Sequence, residues 1–582
     1  ISEADSPSST HPITASPNPA PTPAQAPIGV THPKPTNPTT TDTTIEVFCI
    51  PRYSTKPTPA LHTSNPEHKN HYNPIMKKAF LIIMPILLIA LLATGIWTYN
   101  AFFTSKPLSQ SELTNLTPDY TPVTQGNWSP WYTDTTGTTT WNPTASFNAH
   151  LATIPEQDKA WPVLIDLTLS NPDLFKNKDL ARYPDEAEDW DALAALLQTP
   201  ETTEVINQLT QALNRPVLGC DMHASTDTYE HQARMKNGLE DKNWDPNPNP
   251  NPNAMDILLP ALGKARNAAQ LLKSAAILEL INNNPDRFVE LVNTMYASAS
   301  LTNENQLILS QLVELAIRSV SNDLIMWSLE EYPGAFTDQH LASLAATVHN
   351  AGIQTFVWEG EALFFRDTFR HIADASGNLN PASFQTMNSG GGVRTIPTNL
   401  PDAQLDKSLQ RIFYTHQLIV TQAHQRSLIP WDPTLQPSDD LYEQEKSKLN
   451  KVGELLMGIL IPALDKAAAR FQAGAQESIA VQTLIALHRH KLRHNTFPPT
   501  LADLDQDLIT HAPTDIFTGT DLHYNPSPTN YPQSPLLYAL GHDRNDDQGR
   551  YIKTVKAVTI PTDADWPMYS DHKLNQLYPE DE

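Results

Sequence analysis

The sequence predicts a mainly α-helical protein. Helical hairpins with two equivalent long helices are closed by a small C-terminal α+β module and preceded by one N-terminal transmembrane helix. Three observations predict it. Apolar residues recur at helical spacing through most of the text after Trp161. One helical motif occurs twice, around Pro260 and around Pro462. An uncharged apolar run, Ala79 to Phe103, precedes both.

The apolar run opens the ordered part of the chain. Met76-Lys77-Lys78 leads into Phe80-Leu-Ile-Ile-Met-Pro-Ile-Leu-Leu-Ile-Ala-Leu-Leu-Ala93, and Trp97, Tyr99, Phe102 and Phe103 close it. A helix of roughly 20 such residues crosses the hydrocarbon core of a bilayer, and it pairs every backbone group internally, as lipid demands. Lysines before the run and aromatics after it predict an inward N-terminus and an exported remainder. The expected location is the inner (cytoplasmic) membrane, single-pass, with a periplasmic or otherwise extracytoplasmic ectodomain. A cleaved signal peptide ending near Ala93-Thr94-Gly95 is the alternative. The run continues past that site to Phe103, which favours a retained anchor over 76–103.

Residues 1–75 are rich in Pro, Thr, Ser and Asn. They bury too little apolar surface to offset their ordering entropy and are expected to be disordered. The first methionine is Met76, so translation is expected to start there, with the preceding text as upstream reading frame.

The 582 residues carry a net charge of −25, with 51 prolines and two cysteines. The acidic balance argues against a nucleic-acid partner and for a self-repelling, soluble ectodomain facing other envelope proteins. Cys49 and Cys220 fall on opposite sides of the anchor, so the exported part is expected to fold without an internal disulfide. Length, less the non-globular start, leaves two or three domains.

Residues 104–160 read as a polar linker with an aromatic cluster, Trp128, Trp131, Tyr132 and Trp141, whose rings either stack on sugars or plug the rim of a core. Residues 161–377 read as the first half of the helical ectodomain. There, the carboxylates of Pro184-Asp-Glu-Ala-Glu-Asp-Trp-Asp191 precede the apolar run Ala192–Leu197, as a helix N-terminus prefers. Alternating prolines in Asp245-Pro-Asn-Pro-Asn-Pro-Asn-Pro-Asn253 forbid helix and central strand, so this is a spacer.

The repeat follows. Met255-Asp-Ile-Leu-Leu-Pro-Ala-Leu-Gly-Lys-Ala265 matches Met457-Gly-Ile-Leu-Ile-Pro-Ala-Leu-Asp-Lys-Ala467, with Gln270 and Gln472 in register. Leu258, Leu262, Ala265, Ala269, Leu272 and Ala276 form one apolar stripe; Leu460, Leu464, Ala467, Phe471, Gly474 and Ser478 form the other. Each copy is expected to open a long helix, and the small residues to let the two helices pack as a pseudo-symmetric pair.

Between the copies, amphipathic segments run over 285–297, 304–329, 338–350 and 356–373, broken by Asn282-Asn-Asn-Pro285 and Tyr332-Pro-Gly334. Residues 378–401, with Gly390-Gly-Gly392, read as a flexible connector, and 402–494 as the second helical half, its last helix ending near His494. Residues 495–582 change character. Leu536–Leu540 and Tyr551–Thr559 are the strand candidates of a small antiparallel sheet packed on the end of the long helix.

Two clusters carry candidate chemistry. Between those strands, Asp543, Asn545, Asp546 and Asp547 offer the hard oxygen ligands that calcium prefers. Gly549 falls one place later than an EF-hand needs and the closing glutamate is missing, so an acidic turn is the competing reading. In the last long helix His490 and His494 are four apart and share a face, as a metal pair must, with His511 or His523 as a third ligand. Histidine is favoured near a helix C-terminus in any case. Glu359-Gly-Glu361 reads either as a carboxylate pair or as one solvated and one helix-packing acid. No P-loop, nucleophile elbow or His-Glu-x-x-His motif occurs.

The text Phe497-Pro-Pro-Thr-Leu501, Asp515-Ile-Phe-Thr-Gly519, Tyr524, Leu537-Tyr-Ala-Leu-Gly-His-Asp543 and Asn545-Asp-Asp547 is similar to the C-terminal domain of the type II secretion major pseudopilin. That resemblance covers about the last hundred residues and implies a long helix on a small antiparallel sheet with a calcium-binding loop. Ile516 stands in place of a usual proline and Arg544 in place of a usual glycine, and no pilin leader precedes the anchor. The order of anchor, Trp161-Pro162, the two Pro-Ala-Leu helices, Gly360-Glu361 and pilin-like tail also resembles a group of uncharacterised bacterial membrane-anchored proteins, which implies architecture and no activity.

The expected function is a non-catalytic envelope scaffold or protein-interaction protein with a calcium-stabilised tail. A metal-dependent envelope hydrolase using His490 and His494, and a pseudopilin-like secretion component, are the alternatives.

Overall fold

Local chemistry sets most helix starts. Asn142, Asp189, Thr199, Asp227 and Asn284 each cap a helix with a side-chain oxygen, and Pro143, Pro200 and Pro285 fill first-turn positions where no amide hydrogen is needed. A computed structural model describes residues 105–116, 131–248, 257–371, 407–509, 512–529, 534–541, 543–551 and 565–577. They all fall in one packed unit. Segment 1–75, the expected anchor over 76–103, the connector over 378–401 and the strand expected beyond Tyr551 lie outside the described residues. Among the described residues no helix is long and apolar enough to cross a membrane.

The described chain is mostly helical, with a small sheet. It begins with α1 (Gln110–Asn115), a hairpin of β1 (Trp131–Thr133) and β2 (Thr139–Trp141), and α2 (Pro143–Ala152). Next come α3 (Trp161–Ser170), α4 (Pro172–Phe175), α5 (Trp190–Leu197), α6 (Pro200–Leu213) and α7 (Thr228–Lys236). The central helices are α8 (Pro260–Ile281), α9 (Pro285–Thr302), α10 (Ile308–Glu331), α11 (Asp338–Ala351) and α12 (Glu359–His371). Then follow α13 (Lys407–Ser427), α14 (Ser438–Glu445) and α15 (Lys451–His494). The chain closes with β3 (His523–Asn525), β4 (Leu536–Ala539), β5 (Trp566–Pro567) and α16 (Asp571–Leu577).

The two repeat helices do not pack as a pair. Both lie against α10, which also packs on α9. From Ser321 to Glu330 every residue of α10 is buried, as a helix enclosed by neighbours must be. Gly474, a small residue of the second stripe, admits Leu315 of α10: a Cβ there would lie 2.1 Å from Leu315 Cδ1. The copies also differ locally. The first starts its helix at Pro260, whereas α15 starts at Lys451 and runs through Pro462 for 44 residues in all. The expected pseudo-symmetric pair is therefore replaced by two helices sharing a third.

The expected linker over 104–160 is, where described, part of the body. Arg411 of α13, 2% exposed at its side chain, binds Glu112 of α1 through two nitrogens at 2.7 and 2.9 Å. That pairing holds the Glu112 carboxyl at about 2. Trp141 is fully buried with Phe147, Leu151, Met222, Leu363 and Phe364, and the Arg370 guanidinium lies 4.3 Å from its ring centre. Trp141 is thus a core residue and does not present its face to a sugar.

At the C-terminal end, β3, β4 and β5 form a three-stranded antiparallel sheet with Tyr524 opposite Leu537 and Ala539 opposite Trp566. The sheet packs on α15, and Leu537, Ala539 and Met568 join the same core as Ile479 and Val481. Buried Asp515 accepts from Phe517 N at 2.8 Å and from Leu540 N at 2.9 Å, tying the Asp515–Gly519 turn to the end of β4.

Candidate functional site

The end of α15 is fixed by Asn495, which adopts the left-handed conformation (φ +60°) and donates its amide to Lys491 O. The chain then turns back through Phe497-Pro-Pro-Thr500. Thr500 and Asp503 form a reciprocal cap on a short 3-10 turn, and buried Leu501, Leu504 and Leu508 pin the returning loop into the main core. Asp505 is held between those leucines and faces the helix it has just left.

This return brings His490, His494 and Asp505 together, each offering one ligand atom within 4.8 Å of the others. Asp505 Oδ2 lies 3.1 Å from His494 Nε2, and Asp505 Oδ1 lies 3.7 Å from His490 Nδ1. The imidazole centres are 4.3 Å apart. His490 is buried and its Nδ1 has no hydrogen-bond partner, while His494 is 49% exposed at its side chain. Burial, then the neighbouring His494 ring, holds the His490 pKa below its usual value. The His494 ring holds the Asp505 carboxyl below the usual carboxylate range. Neutral imidazole and ionised carboxylate are the metal-binding forms.

Arg493 lies at the rim, 2.9 Å from Asp507 and 3.3 Å from Asp505, and 3.9 Å from Asp338. His488 points elsewhere: it is buried edge-on to Phe497, and burial pushes its pKa down to about 3. Of the third ligands expected for the pair, His523 stands apart, 3.5 Å from Asp546, and His511 lies outside the described residues. The third group is instead Asp505. Its only signal in the sequence was a carboxylate placed among leucines just after a proline-marked reversal.

The acidic loop after β4 has a different construction. Asp543 accepts from Asn545 through backbone and side chain, at 3.2 and 3.1 Å. Asp546 accepts from the Tyr538 hydroxyl at 3.1 Å and from Gln548 N at 2.8 Å. Asp547 is exposed. Beside the loop, unremarked in the sequence, is Asp565 at the edge of β5. It is fully buried, accepts from Gly549 N at 2.7 Å through Oδ2, and has no hydrogen-bond partner at Oδ1. Burial raises its pKa, opposed by the backbone amides of Gly549 and Asp547 and helped by the charges of Asp546 and Asp547. Among the described residues Asp565 and the loop carboxylates do not gather into a three-ligand acidic group.

Glu359 and Glu361 are both partly buried. Glu361 is the helix-packing acid: it accepts from Ile308 N at 3.4 Å, and burial raises its pKa. Cys220 is a free thiol. No protein-family model, curated protein or solved structure matches the chain.

Proposed function

We propose that the chain is a membrane-anchored scaffold or protein-interaction protein of the cell envelope, non-catalytic, whose C-terminal module is stiffened by calcium. The observation that carries this reading is the joint between α15 and the sheet. Gln476, buried in the helix, accepts from Ile516 N at 2.9 Å and donates to Thr514 O at 3.4 Å. Trp431 N donates to Ile516 O at 2.7 Å from the other side. The module is thereby seated on the C-terminal half of a 44-residue helix, about 66 Å long at 1.5 Å per residue. A module fixed in this way presents its surface in a set position on the helical body.

Support for an envelope location comes from the uncharged run Ala79–Phe103 with Lys77 and Lys78 before it. A long helix against three antiparallel strands, with an acidic loop after the middle one, supports reading the module as pseudopilin-like. The unpartnered oxygen of Asp565 beside Asp546 and Asp547 supports calcium.

The test is thermal unfolding of the full-length, detergent-solubilised chain in calcium and in chelator, beside Asp543→Ala/Asp547→Ala and Asp565→Asn. Free calcium a hundredfold above its dissociation constant is expected to add about 2.7 kcal/mol. Both variants are expected to lose that gain. Superimposable curves for the unaltered chain would remove calcium from the proposal.

A further inference from the structure

We propose that His490, His494 and Asp505 bind one divalent transition-metal ion of the zinc class, which staples the end of α15 to the loop that leads into the C-terminal module. Two imidazoles and a carboxylate make a ligand set that zinc accepts, with water in the fourth position.

The spacing fits. Metal–ligand bonds of about 2.0–2.1 Å in a tetrahedron put neighbouring ligand atoms about 3.3 Å apart. From one carboxylate oxygen, Asp505 Oδ1, the gaps are 3.2 Å to His494 Nε2 and 3.7 Å to His490 Nδ1, and they bracket that separation. The histidines are four apart on one helix, so their rings share a face without backbone adjustment. The carboxylate comes from a loop pinned by buried Leu504 and Leu508.

A plain histidine–aspartate ion pair accounts for only part of this cluster. It satisfies His494 and Asp505 but leaves His490 Nδ1 buried with no hydrogen-bond partner, aimed at the same carboxylate. A metal ion uses that nitrogen. Arg493 does not occupy the position, because its shorter contact is to Asp507 and it also reaches Asp338. Asp503, on the same turn, adds negative potential at His490. The staple joins two segments that otherwise meet through leucines and exposed ion pairs, so its effect is on the stability and angle of the module.

The experiment is zinc titration of the full-length, chelator-treated chain in detergent, by calorimetry and by the visible spectrum of added cobalt. His494→Gln and Asp505→Asn are compared with His523→Gln. His494 and Asp505 are exposed or half-buried, so their variants are expected to fold. One equivalent of zinc is expected to bind, with affinity reduced at least tenfold in His494→Gln and in Asp505→Asn and unchanged in His523→Gln. Cobalt is expected to give the intense absorption of a four-coordinate ion only where both ligands are present. Zinc is also expected to raise the melting temperature of the unaltered chain and not of the two ligand variants. Absence of stoichiometric zinc, or equal affinity in all four proteins, would overturn the site. Binding without a shift in melting temperature would overturn the staple. Calcium is absent throughout, so failure here leaves the calcium reading of the tail untouched.

Discussion

The backbone amide of Ser570 donates to Glu330 Oε1 at 2.9 Å and its hydroxyl donates to Oε2, joining residues 240 positions apart. One residue further on, Asp571 N donates at 2.7 Å to Asp323, which also binds Lys273 at 2.8 Å and the Tyr183 hydroxyl at 2.6 Å. The start of α16 is thus held on α10 by two buried carboxylates.

These carboxylates make stability depend on pH. Burial, helped by the Asp323 charge and opposed by the Ser570 donors, raises Glu330 from 4.5 to about 8. A raised folded-state pKa gives stability that is full below pH 4.5 and lost as pH rises through about 8. The unfolding free energy is expected to fall across that window, this residue contributing up to about 1.4 kcal/mol per pH unit. Glu477 and Glu304, each raised to about 7 by burial, act in the same direction. Denaturant melts across pH 5–8 check it: Glu330→Gln is expected to flatten the profile, and an unchanged slope would contradict the assignment.

Asp515 and Gln476 lock the module to the helical body. Asp515→Ala orphans the amides of Phe517 and Leu540, and Gln476→Leu orphans that of Ile516. A cost of about 1–3 kcal/mol per buried orphaned donor is expected. Hydrogen exchange at Ile516–Gly519 is expected to accelerate in both variants. Protection equal to the unaltered chain would show that the apolar core alone holds the joint.

Two glycines give contrasting outcomes. A Cβ at Gly360 would lie 2.4 Å from the backbone oxygen of Gln306, whereas at Gly474 it would meet the end of the Leu315 side chain. Backbone yields less readily than a terminal methyl. Gly360→Ala is therefore expected to cost about 1–3 kcal/mol, as overpacking does, and Gly474→Ala less. Urea unfolding midpoints for the two variants test the order.

Helix boundaries were legible in the sequence because they are local. The break at Asn282-Asn-Asn-Pro285 falls between α8 and α9, Tyr332 ends α10, and α15 stops at His494. Strand β4 lies within the expected run Leu536–Leu540, with Leu537, Tyr538 and Ala539 buried in succession. Strands β3 and β5 are three and two residues long, and such short pieces acquire strand geometry only by pairing with β4. The role of α10 was hidden for a similar reason, since periodicity marks a buried face without naming its neighbour. At the candidate sites the histidine pair was readable from helical spacing, and the acidic loop from its composition. Asp505 and Asp565 were not, because tertiary return of the chain, not spacing, brings each to its partners.

Everything proposed for the cell rests on the chain being held in the inner membrane with its helical body outside. Limited proteolysis of spheroplasts, followed with an antibody to the C-terminal module, tests this most directly. Added protease is expected to cut the C-terminal half in intact spheroplasts as readily as after lysis. Digestion only after lysis would contradict it.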